Sequence, residues 1–202
     1  MKRVEPEWAM VTVMFVDIRG FTAFADRSTA REAADYLNEF FAVAVPVVGD
    51  HGGCVNKLLG DGLLAMFGAP EPLSDHADRA VAAATDMLAA VEQTLGERCR
   101  IGIGINSGLV LVGTMGAGDV VELAVVGDAV NVAARVQDAT RNLAERLLVT
   151  EATRLLLGHD RGLEPRGAIC LRGKAQPIAV YGQPAVTLPG RPPRRKELGW
   201  QH

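Results

Sequence analysis

The 202-residue sequence lacks the marks of several protein classes. It has no apolar run near the roughly 20 residues that a membrane-spanning helix needs, and no signal-peptide core follows its charged start. It has no CxxC pair either, because its cysteines stand apart at Cys54, Cys99 and Cys170. Isolated thiols in an odd number fit a reducing compartment better than a secreted disulfide framework. We therefore expect a cytoplasmic protein without a membrane span, or one at the cytoplasmic face of a membrane if it belongs to a larger protein.

Positive charge is not in excess. The net charge of −3 argues against broad electrostatic binding to nucleic acid. Hydrophobic residues make up 49% of the chain, which is the usual share of a globular protein with a buried core. The length predicts one domain at 11–186, with a lead-in at 1–10 and a basic, proline-rich tail at 187–202 that we expect to be disordered. The chain could also have been cut from a larger regulated or membrane-anchored protein.

Apolar periodicity and turn signals predict mixed strands and helices. A strand at 11–16 precedes a helix capped by Ser28 or Thr29, and a helix from Asp75 or His76 ends near Leu95. The other predicted elements are strands at 54–59 and 63–67, extended chain at 100–113, a glycine-rich loop at 114–119, a strand at 120–126, helices at 128–140 and 150–157, and strands at 168–171 and 178–181. This order predicts an α+β fold. Its ferredoxin-like β-α-β-β-α-β core would have a mainly antiparallel sheet, helices on one face, and added C-terminal hairpin and helix elements.

Two apolar strands each run into an aspartate beside a turn glycine. Asp17 follows the strand that contains Val13 and Phe15, and Asp61 lies between two glycines after the next strand. A buried strand should not end on a carboxylate unless that group has a partner. Taken singly, each is as well explained as an ordinary strand-to-turn residue. As a pair, they suit a magnesium or manganese ion held against substrate phosphates.

Three further polar residues interrupt apolar segments. Asn131 and Arg135 are four residues apart, so on a helix they share a face. An amide can fix a hydroxyl, and a guanidinium suits phosphate oxygens, although a surface pair would look the same. Lys57 interrupts an apolar strand, where a lysine more often extends to solvent at a sheet edge.

Three ordered motifs together resemble the catalytic motifs of class III adenylate and guanylate cyclases, most closely those of bacterial adenylate cyclases. They read DIRGFT at 17–22, KLLGDG at 57–62 and VGDAVNVAAR at 126–135, and the late LRGK at 171–174 resembles the family's basic loop. The resemblance implies that the 3′-hydroxyl of a nucleoside triphosphate attacks its own α-phosphate. The products would be a 3′,5′-cyclic nucleotide and pyrophosphate, formed without a protein nucleophile.

The resemblance also implies roles for individual residues. Asp17 and Asp61, with the Ile18 carbonyl, would bind two Mg²⁺ or Mn²⁺ ions per site. Asn131 would position the ribose, and Arg135 would stabilise charge at the α-phosphorus. The remaining contacts, to the phosphates, would come from the backbone amides of Gly20, Phe21 and Thr22 and from the side chains of Arg172 and Lys174.

In this family the two halves of a site come from different subunits. One chain here carries both sets of motifs, so the resemblance implies a head-to-tail homodimer with two equivalent sites. Asp17 and Asp61 of one subunit would face Lys57, Asn131 and Arg135 of the other. A monomer should then be nearly inactive.

Base recognition is where the sequence departs from the family pattern. Lys57 matches the residue that reads adenine in adenylate cyclases, and its donor suits the adenine N1 acceptor. The position that normally supplies its partner is Ala124, which has no polar side chain. Glu122 lies on the same face of the predicted strand, but we do not expect it to take that place. ATP is therefore the expected substrate, with weaker selectivity than usual.

Other functions stay open at this point. A guanylate or mixed-specificity cyclase would keep the same mechanism. A catalytically silent cyclase-like module for dimerisation or nucleotide binding is opposed by the intact Asp17, Asp61, Asn131 and Arg135. A diguanylate cyclase would need a Gly-Gly-Asp/Glu-Glu-Phe turn, whereas the hairpin here reads LGDGL at 59–63.

Overall fold

A computed structural model describes residues 5–117, 120–171 and 176–184. The strands are β1 (Glu7–Ile18), β2 (Cys54–Leu58), β3 (Gly62–Phe67), β4 (Ile101–Ala117), β5 (Val120–Val126), β6 (Leu147–Thr150), β7 (Glu164–Ile169) and β8 (Ile178–Gly182). The helices are α1 (Phe21–Ala25), α2 (Ala30–Asp50), α3 (His76–Leu95), α4 (Asp128–Asn142) and α5 (Glu151–Arg154). No helix in the described part of the chain is both long and apolar enough to span a membrane.

All eight strands belong to one sheet. Its order is β2-β3-β1-β4-β6-β8-β7, and β5 pairs with the second half of β4. The pairings are antiparallel except that of β4 with β6. The first four strands, with α2 after β1 and α3 after β3, form the predicted β-α-β-β-α-β core. The α+β class with a mainly antiparallel sheet is therefore confirmed.

The helices lie on both faces of this sheet. Successive residues of β1 point to opposite faces, so Met14 and Val16 pack in one apolar cluster with α2 and α3. Val11 and Val13 pack in a second cluster with Ala129 of α4. The expectation of helices on one face therefore holds for α2 and α3 and is corrected for α4.

A close approach of α4 to β4 explains the alternation of isoleucine and glycine at 101–105. The isoleucines point into the cluster with α2 and α3. The glycines point the other way, and a Cβ on Gly104 would overlap the backbone nitrogen of Gln137 in α4. A Cβ on Gly102 would likewise overlap the side chains of Arg19 and Thr140. The glycines therefore allow the helix backbone to lie directly on the strand.

Several boundaries differ from the sequence prediction. Residues 114–117, predicted as loop, continue β4 and pair with β5, while 118–119 lie outside the described residues. The helix predicted at 150–157 is only the single turn α5, and the short parallel strand β6 was not predicted. Thr29 caps α2 through a reciprocal capping box with Glu32, as expected. The predicted tail also falls outside the described residues.

We predict that Gly104→Ala lowers the free energy of unfolding by about 2 kcal/mol, because the added methyl group must displace the α4 backbone. Urea denaturation followed by circular dichroism measures this change. Gly49→Ala in α2 is the control, since a Cβ there meets no atom within 4 Å, and it should leave stability unchanged or raise it by up to about 1 kcal/mol. Equal stability of the two variants would contradict the packing described for α4.

Candidate active site

Two carboxylates lie side by side at one end of the sheet. Antiparallel pairing sets Asp17 of β1 opposite Gly62 of β3, next to Asp61. The Ile18 N–H donates to the Asp61 carbonyl oxygen over 3.0 Å, which fixes the turn against β1. Glycine is required at position 62 because a Cβ would overlap the Val16 carbonyl oxygen. The sheet register therefore brings together the two aspartates that the sequence singled out.

The two neighbouring carboxylates would be stabilised by positive charge. Burial raises the pKa of the Asp61 carboxyl, and the negative charge of Asp17 raises it further. The Arg141 guanidinium, from the last turn of α4, donates a hydrogen bond to the Asp17 carboxylate. Arg19 lies under the same helix and donates a hydrogen bond to Thr140. Burial lowers the pKa of Arg19, and the positive charge of Arg141 lowers it further. Even with Arg141 in place, the pKa of Asp61 stays above its usual range.

A divalent cation fits these residues. Mg²⁺ and Mn²⁺ prefer oxygen ligands, and Mg²⁺ is typically held by one or two carboxylates together with substrate phosphates. Among the described residues there is no group of three or more histidine, cysteine or acidic side chains that could hold a metal alone. Asp17 and Asp61 match the carboxylate pair that Mg²⁺ uses in sites of that kind.

The segment predicted to hold phosphate follows Asp17 directly. Gly20 adopts a left-handed conformation (φ 74°), and the short helix α1 begins at Phe21. The Gly20 and Thr22 carbonyls accept hydrogen bonds from Phe24 and Asp26, which fixes the turn. Their amides are at a helix start, where N–H groups lack partners within the helix. The other predicted phosphate ligands, Arg172 and Lys174, lie outside the described residues.

Asn131 and Arg135 lie one turn apart on the outer side of α4. Asn131 is exposed and Arg135 half-buried, whereas Val132 and Val136 beside them are buried. Within the chain, Arg141 of α4 donates to Asp17, and Arg141 lies about 9 Å further along the helix axis than Arg135. The sequence analysis missed Arg141, because no motif or periodicity distinguishes it from a surface arginine.

The predicted base-reading residue has an unexpected partner. Lys57 Nζ lies 2.6 Å from Glu122 Oε1, across from β2 to β5. Ala124 is buried two residues further along β5. We did not expect Glu122 to take the place of a polar residue at 124, and the structure shows that its carboxylate pairs with Lys57.

Comparison with known proteins decides the family. Residues 4–182 match the family described as "Adenylate and Guanylate cyclase catalytic domain". The chain belongs to this family. The cyclase domain therefore spans nearly all of the described residues.

Similar proteins include cyclases of both base specificities. An uncharacterized protein of Mycobacterium tuberculosis is 39% identical over 174 residues, which are 84% of this chain but 30% of the relative. The chain thus spans less than a third of that relative's length. The structure of the adenylyl cyclase CyaB from Pseudomonas aeruginosa aligns with a TM-score of 0.82 at 26% identity, covering 89% of this chain and 95% of that one. The guanylyl cyclase Cya2 aligns with a TM-score of 0.77 at 28% identity, covering 90% and 93%.

We predict that Asp61→Asn stabilises the metal-free cyclase domain more at pH 7 than at about pH 4. A raised native pKa means that the stability contributed by protonated Asp61 is present at low pH and is lost as the pH rises, whereas asparagine does not titrate. Chemical denaturation in EDTA at several pH values measures the difference between variant and wild type. A difference that does not grow with pH would contradict the raised pKa of Asp61, which burial and the charge of Asp17 both produce.

Proposed function

We propose that this cyclase domain converts ATP to 3′,5′-cyclic AMP and pyrophosphate in sites shared across a head-to-tail homodimer. The observation that carries the proposal is the carboxylate pair of Asp17 and Asp61 at adjoining strand ends in a member of the cyclase family. The reaction class follows from the family, and the choice of ATP follows from Lys57.

Each chemical step of the proposed reaction has a residue in this chain that would perform it. Asp17, Asp61 and the Ile18 carbonyl would hold two Mg²⁺ or Mn²⁺ ions, whose charge activates the ribose 3′-hydroxyl and neutralises the triphosphate. Asn131 would orient the ribose so that its 3′-oxygen faces the α-phosphorus. Arg135 would balance the charge that accumulates on the α-phosphate oxygens.

The phosphate chain needs its own contacts. The amides of Gly20, Phe21 and Thr22 would receive phosphate oxygens at the start of α1. Arg172 and Lys174 would bind the terminal phosphates and stabilise the departing pyrophosphate. This division leaves no role for a protein nucleophile.

A shared site is supported by the arrangement of α4 and by an exposed apolar surface. Within the chain, Asp17 is bonded to Arg141 at the end of α4, which is consistent with Asn131 and Arg135 being supplied by a partner subunit. Apolar side chains that are at least half exposed lie together on paired strands, namely Trp8, Met10, Leu109 and Val126. Contiguous exposed apolar surface is typical of a protein interface.

The proposed preference for ATP rests on Lys57 being a hydrogen-bond donor. A lysine donates to the adenine N1 acceptor, whereas guanine presents a donor at N1. The second candidate is a guanylate or mixed-specificity cyclase, which Ala124 favours because a side-chain hydrogen bond is missing at that position. A catalytically silent module is disfavoured because Asp17, Asp61, Asn131 and Arg135 are all intact.

We expect Asp17→Ala and Asp61→Ala each to lower cyclic AMP formation by more than about a hundredfold, because each removes a metal ligand. Chromatography of the products from ATP with Mg²⁺ or Mn²⁺ measures the rate, and circular dichroism verifies the fold. Asp35→Ala serves as the control, since Asp35 forms an exposed pair with Arg31 in α2. Near-normal turnover by either carboxylate variant would refute the assignment.

Mixing two inactive variants tests the shared site. Asp17→Ala and Arg135→Ala chains, unfolded and refolded together in equal amounts, should regain about a quarter of wild-type activity. Half of the dimers would be mixed, and each mixed dimer would contain one complete site of two. No recovery in a sample shown by affinity tags to contain mixed dimers would refute a site built from two subunits.

A further inference from the structure

The backbone of β2 is irregular at the position that directs Lys57. The register of β2 with β3 pairs Val55 with Ala65 and then Lys57 with Leu64, so Asn56 is an extra residue, a β-bulge. Because side chains alternate along a strand, one extra residue moves every later side chain to the opposite face. The bulge therefore sets Lys57 on the face that carries Leu64 and α4, rather than the face that α2 and α3 cover.

The bulge also ties β2 to β5. The Asn56 Nδ2 donates to the Leu123 carbonyl oxygen over 2.6 Å. The next residue, Lys57, donates from Nζ to Glu122 Oε1 over 2.6 Å. Two successive residues of β2 thus contact two successive residues of β5. The lysine is held by a specific carboxylate on a strand whose own position is fixed by a backbone contact.

We propose that Glu122 is the specificity-determining partner of Lys57, and that it supplies the acceptor missing at Ala124. This inference rests on the proposed function, since it concerns how the same site reads its base. An exposed ion pair contributes little to stability, and the side chains of Lys57 and Glu122 are 39% and 59% exposed. The value of the pair therefore lies in holding the lysine donor at a defined point.

The donor of Lys57 and the acceptor of Glu122 complement the hydrogen-bonding groups on the edge of adenine. One Glu122 oxygen accepts from Lys57, which leaves other lysine N–H groups to donate to adenine N1. The second carboxylate oxygen can accept from the adenine 6-amino group. Guanine in the same orientation presents an N1–H donor to the lysine and an O6 acceptor to the carboxylate, so both contacts become repulsive. Glu122 is thus a determinant of ATP preference that acts beside and through Lys57.

The test is the ratio of kcat/KM for ATP to that for GTP. Glu122→Ala should lower this ratio about tenfold, mainly by raising KM for ATP, because the lysine loses its fixed position. Glu122→Gln keeps an acceptor oxygen and should retain most of the ratio. Glu164→Ala is the matched control, since Glu164 is 57% exposed and paired with Arg166 over 3.0 Å in β7, at the opposite edge of the sheet. It should leave the ratio unchanged.

A second substitution separates base reading from local structure. Ala124→Thr should restore the ratio in the Glu122→Ala background, because it returns an acceptor beside Lys57. In the wild-type background it should change the ratio by less than about twofold, since Lys57 already has a partner. If Glu122→Ala lowers the ATP-to-GTP ratio of kcat/KM and Ala124→Thr does not restore it, the proposed role of Glu122 as an acceptor would be overturned.

The outcome for this inference is distinct from that for the proposed function. A wild-type chain that forms no cyclic nucleotide would refute the function. Base selectivity is then read by competition of ATP and GTP against a fluorescent ATP analogue, which requires no turnover. An ATP preference that falls in Glu122→Ala but not in Glu164→Ala supports the inference. Equal preference in wild type and Glu122→Ala, in turnover or in binding, overturns it.

Discussion

The candidate site depends on the close packing of α4 against β4. Gly102 and Gly104 leave no side chain between strand and helix, so the backbone of α4 lies against the sheet. That contact fixes the whole helix, from Asn131 and Arg135 on its outer side to Arg141 at its end. Arg19 strengthens it by donating to Thr140 and to the Glu145 carbonyl. A shift of this helix would move both residues that the proposed chemistry takes from it, Asn131 and Arg135.

Charge around Asp17 and Asp61 is the second constraint. Two carboxylates at adjoining strand ends repel each other: burial raises the pKa of Asp61, and the negative charge of Asp17 raises it further. Arg141 offsets part of it by bonding to Asp17. A site of this kind gains most from a bound cation, so the repulsion in the metal-free chain and the proposed affinity for a divalent ion have one physical origin.

Residue types and local spacing predicted much of this arrangement. The β2–β3 hairpin and the capped start of α2 both follow from short-range rules. The motifs that contain Asp17, Asp61, Asn131 and Arg135 point to the cyclase family by their residue types and order alone. These features are local because each depends on residues within one turn, strand or helix.

Features that depend on distant parts of the chain could not be predicted. The contact of Arg141 with Asp17 joins residues 124 positions apart, and the Lys57–Glu122 pair joins residues 65 apart. The bulge at Asn56 has no sequence signal, yet it decides which face Lys57 occupies. The position of α4 on the second face and the short parallel strand β6 likewise follow from packing rather than from propensity.

The most direct test of the account is a competition between substrates. The purified chain is incubated with equal ATP and GTP, in Mg²⁺ and separately in Mn²⁺, and the cyclic products are resolved by chromatography. We expect cyclic AMP in clear excess over cyclic GMP. Cyclic GMP in excess would contradict the base assignment, and no cyclic product from a chain shown to be dimeric would contradict the cyclase activity itself.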